Sequence, residues 1–341
     1  MVEVTRRCDL KCPVCFASAG EKSRDPSHEN LTDVFRSIAD RLPQGILQIS
    51  GGEPTVRDDL CSLVTAAAAM DFAGVQLNTN GIRLAEDSDL PLRLKESGLS
   101  WVYLQFDSTE DDAYAALRGR SLFSIKRKAV ERCADAELGV VLVTTVKQGV
   151  NDHLLGDILR FGAEHAPAVR GVHFQPMAFF GRYPFPPSDE ERITLPEVLQ
   201  RIWSQHSFFR MDDFSPCGGL HPMCSFTGEF FVSQGKFKRK GTAKPPKEEL
   251  DLVRATARVA SRWTLPEDTT CSGDVFGDVL SWRRRIFTVT GMAFQDAWTL
   301  DTERLQRCPI KCVEADGTFF PFCTGTVTSR NGRRLYGKNV P

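Results

Sequence analysis

The feature that most limits the possible folds is an alternation over the first 176 residues. Short apolar runs are followed, again and again, by stretches with helical spacing. Val2 to Thr5 reads as a strand. Leu31, Val34, Phe35, Ile38 and Leu42 then form a helical stripe. Gly45 to Ile49 reads as a strand, and Leu60, Leu63, Val64, Ala67 and Ala68 as a helix face. Val75 to Thr79 is a strand ended by Asn80-Gly81. Trp101 to Phe106 is a strand and 122–138 a helix. Val140 to Val143 is a nearly all β-branched interior strand, Leu154, Leu155, Ile158 and Leu159 a helix face, and Val169 to Phe174 the last clear strand. About six strand–helix units of this kind bury parallel strands under crossover helices. An open sheet and a full or partial barrel both satisfy the pattern, and both place ligands at the carboxyl ends of the strands. The polar runs Gly51-Gly52-Glu53-Pro54, Asn78-Thr79-Asn80-Gly81, Gln105-Phe106-Asp107 and His173-Phe174-Gln175-Pro176 all fall at such ends.

Composition narrows the class. With 341 residues the chain suits one large domain, or one plus a smaller module. Lys plus Arg is 43 and Asp plus Glu is 44, which argues against a globally basic nucleic-acid binder. No apolar run reaches the length of a membrane span. The first residues lack the apolar core of a secretion signal, so the expected compartment is the cytoplasm. There, 11 cysteines imply metal or redox sites rather than disulfides.

Cys8, Cys12 and Cys15 follow the first strand at spacings of three and two intervening residues. Four thiolates would close a structural zinc or an iron–sulfur cube. Three leave a corner open for a chelating ligand, and zinc with a distant fourth ligand is the competing reading. Cys61 and Cys133 sit in helical stretches and read as buried structural thiols. Cys308, Cys312 and Cys323 form a second candidate metal group, and Cys217 and Cys224 bracket a Gly-Gly-Leu-His-Pro-Met stretch. Cys271 completes the later set, and His221 is an alternative ligand.

The Cys-x3-Cys-x2-Cys spacing after the first strand, with Gly51-Gly52-Glu53-Pro54 after the second, resembles the radical S-adenosylmethionine superfamily. Longer strings extend the likeness from about residue 7 to 323. They are Arg7 to Ala17, Ser50 to Leu60, Leu77 to Gly81, Tyr103 to Asp107, Val169 to Pro176 and Asp316 to Cys323. These resemble the branch with tetraether lipid synthase and archaeal pterin-methylating enzymes. Longer members of that branch carry an amino-terminal metal-binding extension, whereas Cys8 stands almost at the start of this sequence.

The resemblance implies an α/β fold, a partial (β/α)6 TIM barrel over 1–205 with a cysteine-rich module at 206–341 holding auxiliary clusters. It implies a [4Fe-4S] cluster on Cys8, Cys12 and Cys15, and one or two auxiliary clusters on ligands drawn from Cys217, Cys224, Cys271, Cys308, Cys312 and Cys323. S-adenosyl-L-methionine would meet Gly51, Gly52, Glu53 and Pro54, with Asn78, Asn80, Gln105, Asp107 and Thr144 near its nucleoside. His173 is expected to move a proton or orient the substrate, and Gln175 and Arg182 to contact it. Asp296 and Asp301 resemble family positions. The implied reaction is hydrogen abstraction from an unactivated carbon followed by carbon–carbon bond formation. A lipid-like substrate is favoured by the likeness and by the aromatic stretch around 174–185; radical methylation of a pterin or small metabolite is the alternative. A zinc-bound structural protein is the reading from another class. A flavodoxin or ferredoxin would supply electrons, and no nucleic-acid partner is expected.

Overall fold

The computed structural model describes residues 1–20, 24–183, 188–217, 220–239, 252–267, 282–314, 316–329 and 335. Cys271, most of the basic run 236–247 and most of the tail after 329 lie outside the described residues. Six parallel strands run in chain order: β1 (Val2–Thr5), β2 (Ile46–Gly51), β3 (Gly74–Thr79), β4 (Trp101–Gln105), β5 (Gly139–Val146) and β6 (Val169–Pro176). Between them lie α1 (His28–Arg41), α2 (Leu60–Ala68), α3 (Ile82–Glu86), α4 (Leu90–Glu96), α5 (Asp111–Arg118), α6 (Phe123–Asp135) and α7 (Leu155–Glu164). Leu47, Ile49, Leu77, Val102, Leu104, Val140, Leu142 and Val172 point from the strands into one apolar core with the helices. Each such fully buried side chain stabilises the fold by roughly 1.5–3 kcal/mol. This is the strand–helix frame of a partial barrel.

The sequence reading ends the strand series at Phe174, and here the structure differs. Residues 225–292 and 311–321 add β7 (Ser225–Ser233), β8 (Lys236–Arg239), β9 (Ile286–Met292), β10 (Lys311–Val313) and β11 (Phe319–Pro321) to the same sheet. β9 lies parallel to β6, pairing Val172 with Val289 and His173 with Thr290. β7 and β8 then continue antiparallel, while β10 joins the other edge beside β1. The order is β11-β10-β1-β2-β3-β4-β5-β6-β9-β7-β8. Local periodicity carries no record of a partner more than a hundred residues away (Val172 to Val289), so the added strands are invisible to it. The division at 205–206 therefore does not interrupt the sheet.

α8 (Leu195–Gln205) packs on α7, and its capping box joins Thr194 and Glu197. α9 (Leu252–Trp263) lies on the other face of the strands, at their amino ends. Its Trp263 ring meets Trp101, Tyr103 and His173 at centroid distances of 5.8, 5.7 and 6.3 Å. Arg170, fully buried on β6, donates to the carbonyls of Arg262, Arg283 and Arg284 at 3.0, 2.9 and 2.7 Å. Burial among arginines pulls its guanidinium down to about 9. The barrel floor is thus closed by residues from the carboxyl-terminal third. No described helix is long and apolar enough to cross a membrane.

Candidate active site at the carboxyl ends of the strands

The cysteine loop leaves β1 and is fastened at several points. Gly52 N–H donates to Thr5 O at 2.8 Å, and Glu53 N–H to Arg7 O at 2.9 Å. A Cβ on Gly52 would stand 2.2 Å from Arg7 O, and one on Gly51 2.3 Å from Thr5 O. These glycines therefore make room for the chain's own cysteine loop. Cys12 is buried and packs with Leu10, Ile82, Tyr114 and Leu122, with Cys8 and Cys15 half-buried beside them. Burial pushes the Cys8 thiol up to about 12 and the Cys12 thiol upward too.

Several residues expected near the cofactor also brace the strand ends. Glu53 is 1% exposed, and its carboxylate already accepts four hydrogen bonds. They come from Thr55 N–H (3.1 Å), the Thr55 and Thr79 hydroxyls (2.7 and 2.6 Å) and Asn80 N–H (2.7 Å). Burial still raises its pKa. It locks the end of β2 to that of β3, and Pro54 opens the short 3-10 turn Pro54–Val56 behind it. Asn80 Oδ1 accepts from Ile82 N–H (2.9 Å) at the start of α3, and its amide donates to Asp9 at 2.6 Å. Asp107 takes both arms of the Arg118 guanidinium at 2.7 and 2.8 Å. Arg118 in turn holds Val14 O at 3.1 Å, so this buried ion pair steadies the cysteine loop. Thr144 is fully buried, donates to Phe106 O at 2.7 Å and faces away from the lumen. Strand alternation gives that position to Thr145. Arg182 donates to Cys12 O (2.8 Å) and Ala19 O (2.9 Å), which makes it part of the loop's scaffold.

Strand register stacks the other predicted residues in rows on the concave face. Asn78, Tyr103, Val141, Gly171 and Thr288 are in register. Above them lie Gln105, Val143, His173 and Thr290, and then Thr145 and Gln175. No charged side chain stands in these rows. Asn78 accepts from the Gln76 amide at 2.6 Å, and His173 Nδ1 shares a 2.7 Å hydrogen bond with the Thr290 hydroxyl. Burial lowers the His173 pKa to about 3, which holds its ring neutral near pH 7. Sequence reading missed Lys126, which is fully buried on α6 and donates to Asn80 O and, at 3.2 Å, to Gln105. Burial lowers it to about 8. The only signal available was a lysine on the apolar face of a helical stretch.

The later cysteines meet in part. Cys224, Cys308 and Cys323 line one cleft with His221, Arg304 and Gln295. Arg304 donates to Cys224 Sγ at 3.1 Å and Gln295 N–H to Cys323 Sγ at 3.3 Å. Burial raises Cys323 to about 11. Cys312 packs beside Cys323 in the adjoining apolar cluster, whereas Cys217 lies by Arg258. Asp296 is buried, accepting from Phe179 N–H and pairing with Arg192, and Asp301 caps the short helix Thr302–Gln306. Cys133 is fully buried and Cys61 half-buried.

Among the described residues, no group of three His, Cys, Asp or Glu side chains stands in metal-holding geometry. The amino-terminal donor set nonetheless suits an iron–sulfur cluster. Three thiols share one pinned loop with apolar walls, and Arg182, whose Nε and Nη1 hold carbonyls of that loop, keeps a buried Nη2 with no partner among the described residues.

Known proteins give the chemistry its family. The model of the Radical SAM superfamily matches residues 2–162. The chain is 31% identical to the 7,8-dihydro-6-hydroxymethylpterin dimethyltransferase of Methanocaldococcus jannaschii, over 95% of this chain and 75% of that protein. It is 30% identical to a probable GTP 3',8-cyclase of Methanothermobacter marburgensis, over 47% of this chain and 52% of that one. The FeFe-hydrogenase maturase HydG from Carboxydothermus hydrogenoformans aligns with a TM-score of 0.46 at 17% identity, over 60% of this chain and 49% of that chain. The pinned cysteine loop and the near full-length match together show that this chain belongs to the radical SAM superfamily and is a radical SAM enzyme.

Proposed function

We propose that this enzyme methylates carbon on a small, flat, nitrogen-rich ring of the pterin kind. One observation carries the reading: the rows above the floor hold no charged residue of their own, and set amides, hydroxyls and aromatic rings among the small apolar residues Val141, Val143 and Gly171. Asn78, Gln105 and Gln175 offer paired donors and acceptors to a ring edge, and Tyr103, His173 and Trp263 offer flat faces. The Methanocaldococcus jannaschii relative, a pterin dimethyltransferase by name, supports the same substrate class. The lipid-coupling alternative drew on the aromatic stretch near 174–185. There Phe174, Phe179 and Phe180 are buried in packing clusters, and 184–187 lie outside the described residues.

In this reading Cys8, Cys12 and Cys15 would hold the cluster, on the loop against which the glycine-rich turn is hydrogen-bonded. A cluster bound there would supply the one-electron reduction by which S-adenosylmethionine is cleaved. Asn78 and Gln105 bind the nucleoside or ring edge, and Gln175 the substrate. His173, held neutral against Thr290, orients the ring. The α9 floor excludes water from the chamber. Cys224, Cys308 and Cys323 hold one auxiliary cluster, with the remaining ligand drawn from Cys312, Cys217, Cys271 or His221. A reduced flavodoxin or ferredoxin supplies the electron. The carboxyl-terminal module begins near residue 206.

The test is an anaerobic assay of reconstituted protein with reductant, S-adenosylmethionine and a 6-hydroxymethyl dihydropterin. The expected products are 5'-deoxyadenosine, S-adenosylhomocysteine and a pterin heavier by a methyl group. Cys12→Ala should bring all three to background. Cofactor cleavage that leaves the pterin mass unchanged, while an apolar chain substrate is consumed, would overturn the methylase reading.

A further inference from the structure

Arg182 is fixed more firmly than a loop staple requires. Gly181 has φ +67°, and a Cβ there would stand 2.3 Å from Cys15 O and 2.4 Å from Phe16 O. Only glycine lets this segment press onto the cysteine loop. Arg182 then pairs with Cys15 in both directions, N–H to O at 2.8 Å and O to N–H at 2.9 Å. Its Nε and Nη1 take the carbonyls of Cys12 and Ala19. Nη2 is left buried, without a partner among the described residues. A buried charged donor left unsatisfied is destabilising, so a site that fixes it this way implies an acceptor. Arg118, which holds Val14 O of the same loop, has its charge matched by Asp107, whereas no described carboxylate stands at ion-pair distance from Arg182.

We infer that Nη2–H of Arg182 donates a hydrogen bond to a sulfur of the cluster held by Cys8, Cys12 and Cys15. Arg182 is then a positioning residue with a redox consequence. Hydrogen bonds to cluster sulfurs and nearby positive charge favour the reduced, more anionic state. The inference rests on the proposed cluster ligation.

The experiment uses the full reconstituted chain made with guanidinium-15N arginine, reduced without S-adenosylmethionine and read by pulsed electron–nuclear spectroscopy. A 15N coupling to the reduced cluster is expected in the unmodified protein and should vanish in Arg182→Lys. Arg182→Met, at unchanged iron content, should shift the oxidised-to-reduced ratio about tenfold, or about 59 mV for one electron, toward oxidised. Full iron content with no 15N coupling overturns the inference alone, as does a coupling that appears only when the cofactor is added, which would assign the acceptor to its carboxylate. An unshifted potential in Arg182→Met does the same. Failure of the unmodified protein to bind an amino-terminal cluster overturns the ligation reading and this inference together. The unmodified protein carries the spectroscopic test even if both variants lose the loop.

Discussion

The two cysteine regions are built by opposite rules. Cys8, Cys12 and Cys15 come from one short loop, and the rest of the barrel mouth exists to hold it: Gly52, Glu53, Arg118 and Arg182 each fasten a different carbonyl or strand end. Cys224, Cys308 and Cys323 come from three separate segments: a 3-10 turn, the residues after helix Thr302–Gln306, and helix Phe322–Thr326. A local site is set by spacing and then braced. A dispersed site exists only once the sheet has brought its segments together. The first should tolerate loss of a distant contact but not of a brace, and the second the reverse.

The largest expected difference is in activity. Cys15→Ser should abolish cofactor cleavage, whereas Cys323→Ser should remove about four irons per chain and still allow slow cleavage, as iron assay and 5'-deoxyadenosine release would show. Equal loss in both would erase the contrast. Next is the brace. Asp107→Asn leaves the Arg118 guanidinium buried and unpaired, at a cost of about 3–5 kcal/mol in denaturant unfolding. Stability within about 0.5 kcal/mol of the parent would show that the pair does not hold the loop. The smallest effect concerns the lumen. His173 has a folded pKa of about 3, below its unfolded value near 6.5, so its contribution is complete above pH 6.5 and is lost as pH falls toward 3. His173→Gln should flatten that acid limb by up to a few kcal/mol while leaving stability at pH 8 nearly unchanged. A limb that persists would place the acid sensitivity elsewhere.

Much of this was legible in the sequence because it is local. Strand ends carry their polar runs with them, and the cysteine spacing survives folding intact. Thr144 shows where the reading slips: one residue of register turns a side chain from the lumen to the helices. Asp107 and Glu53 show a second limit. Both carboxylates sit at the right strand ends, yet their partners, Arg118, Thr79 and Asn80, come from other elements. The floor formed by Trp263 and the strand β9 depend on contacts between residues far apart in the chain, for which no periodicity exists.

The carboxyl-terminal third hydrogen-bonds to both margins of the six-strand array, through β10 beside β1 and β9 beside β6. A truncated chain ending after β6 would bare two rows of unsatisfied backbone amides at once, and with them a template for self-association. The segments that bring Cys224, Cys308 and Cys323 together for this reason also cover both open margins of the six-strand array.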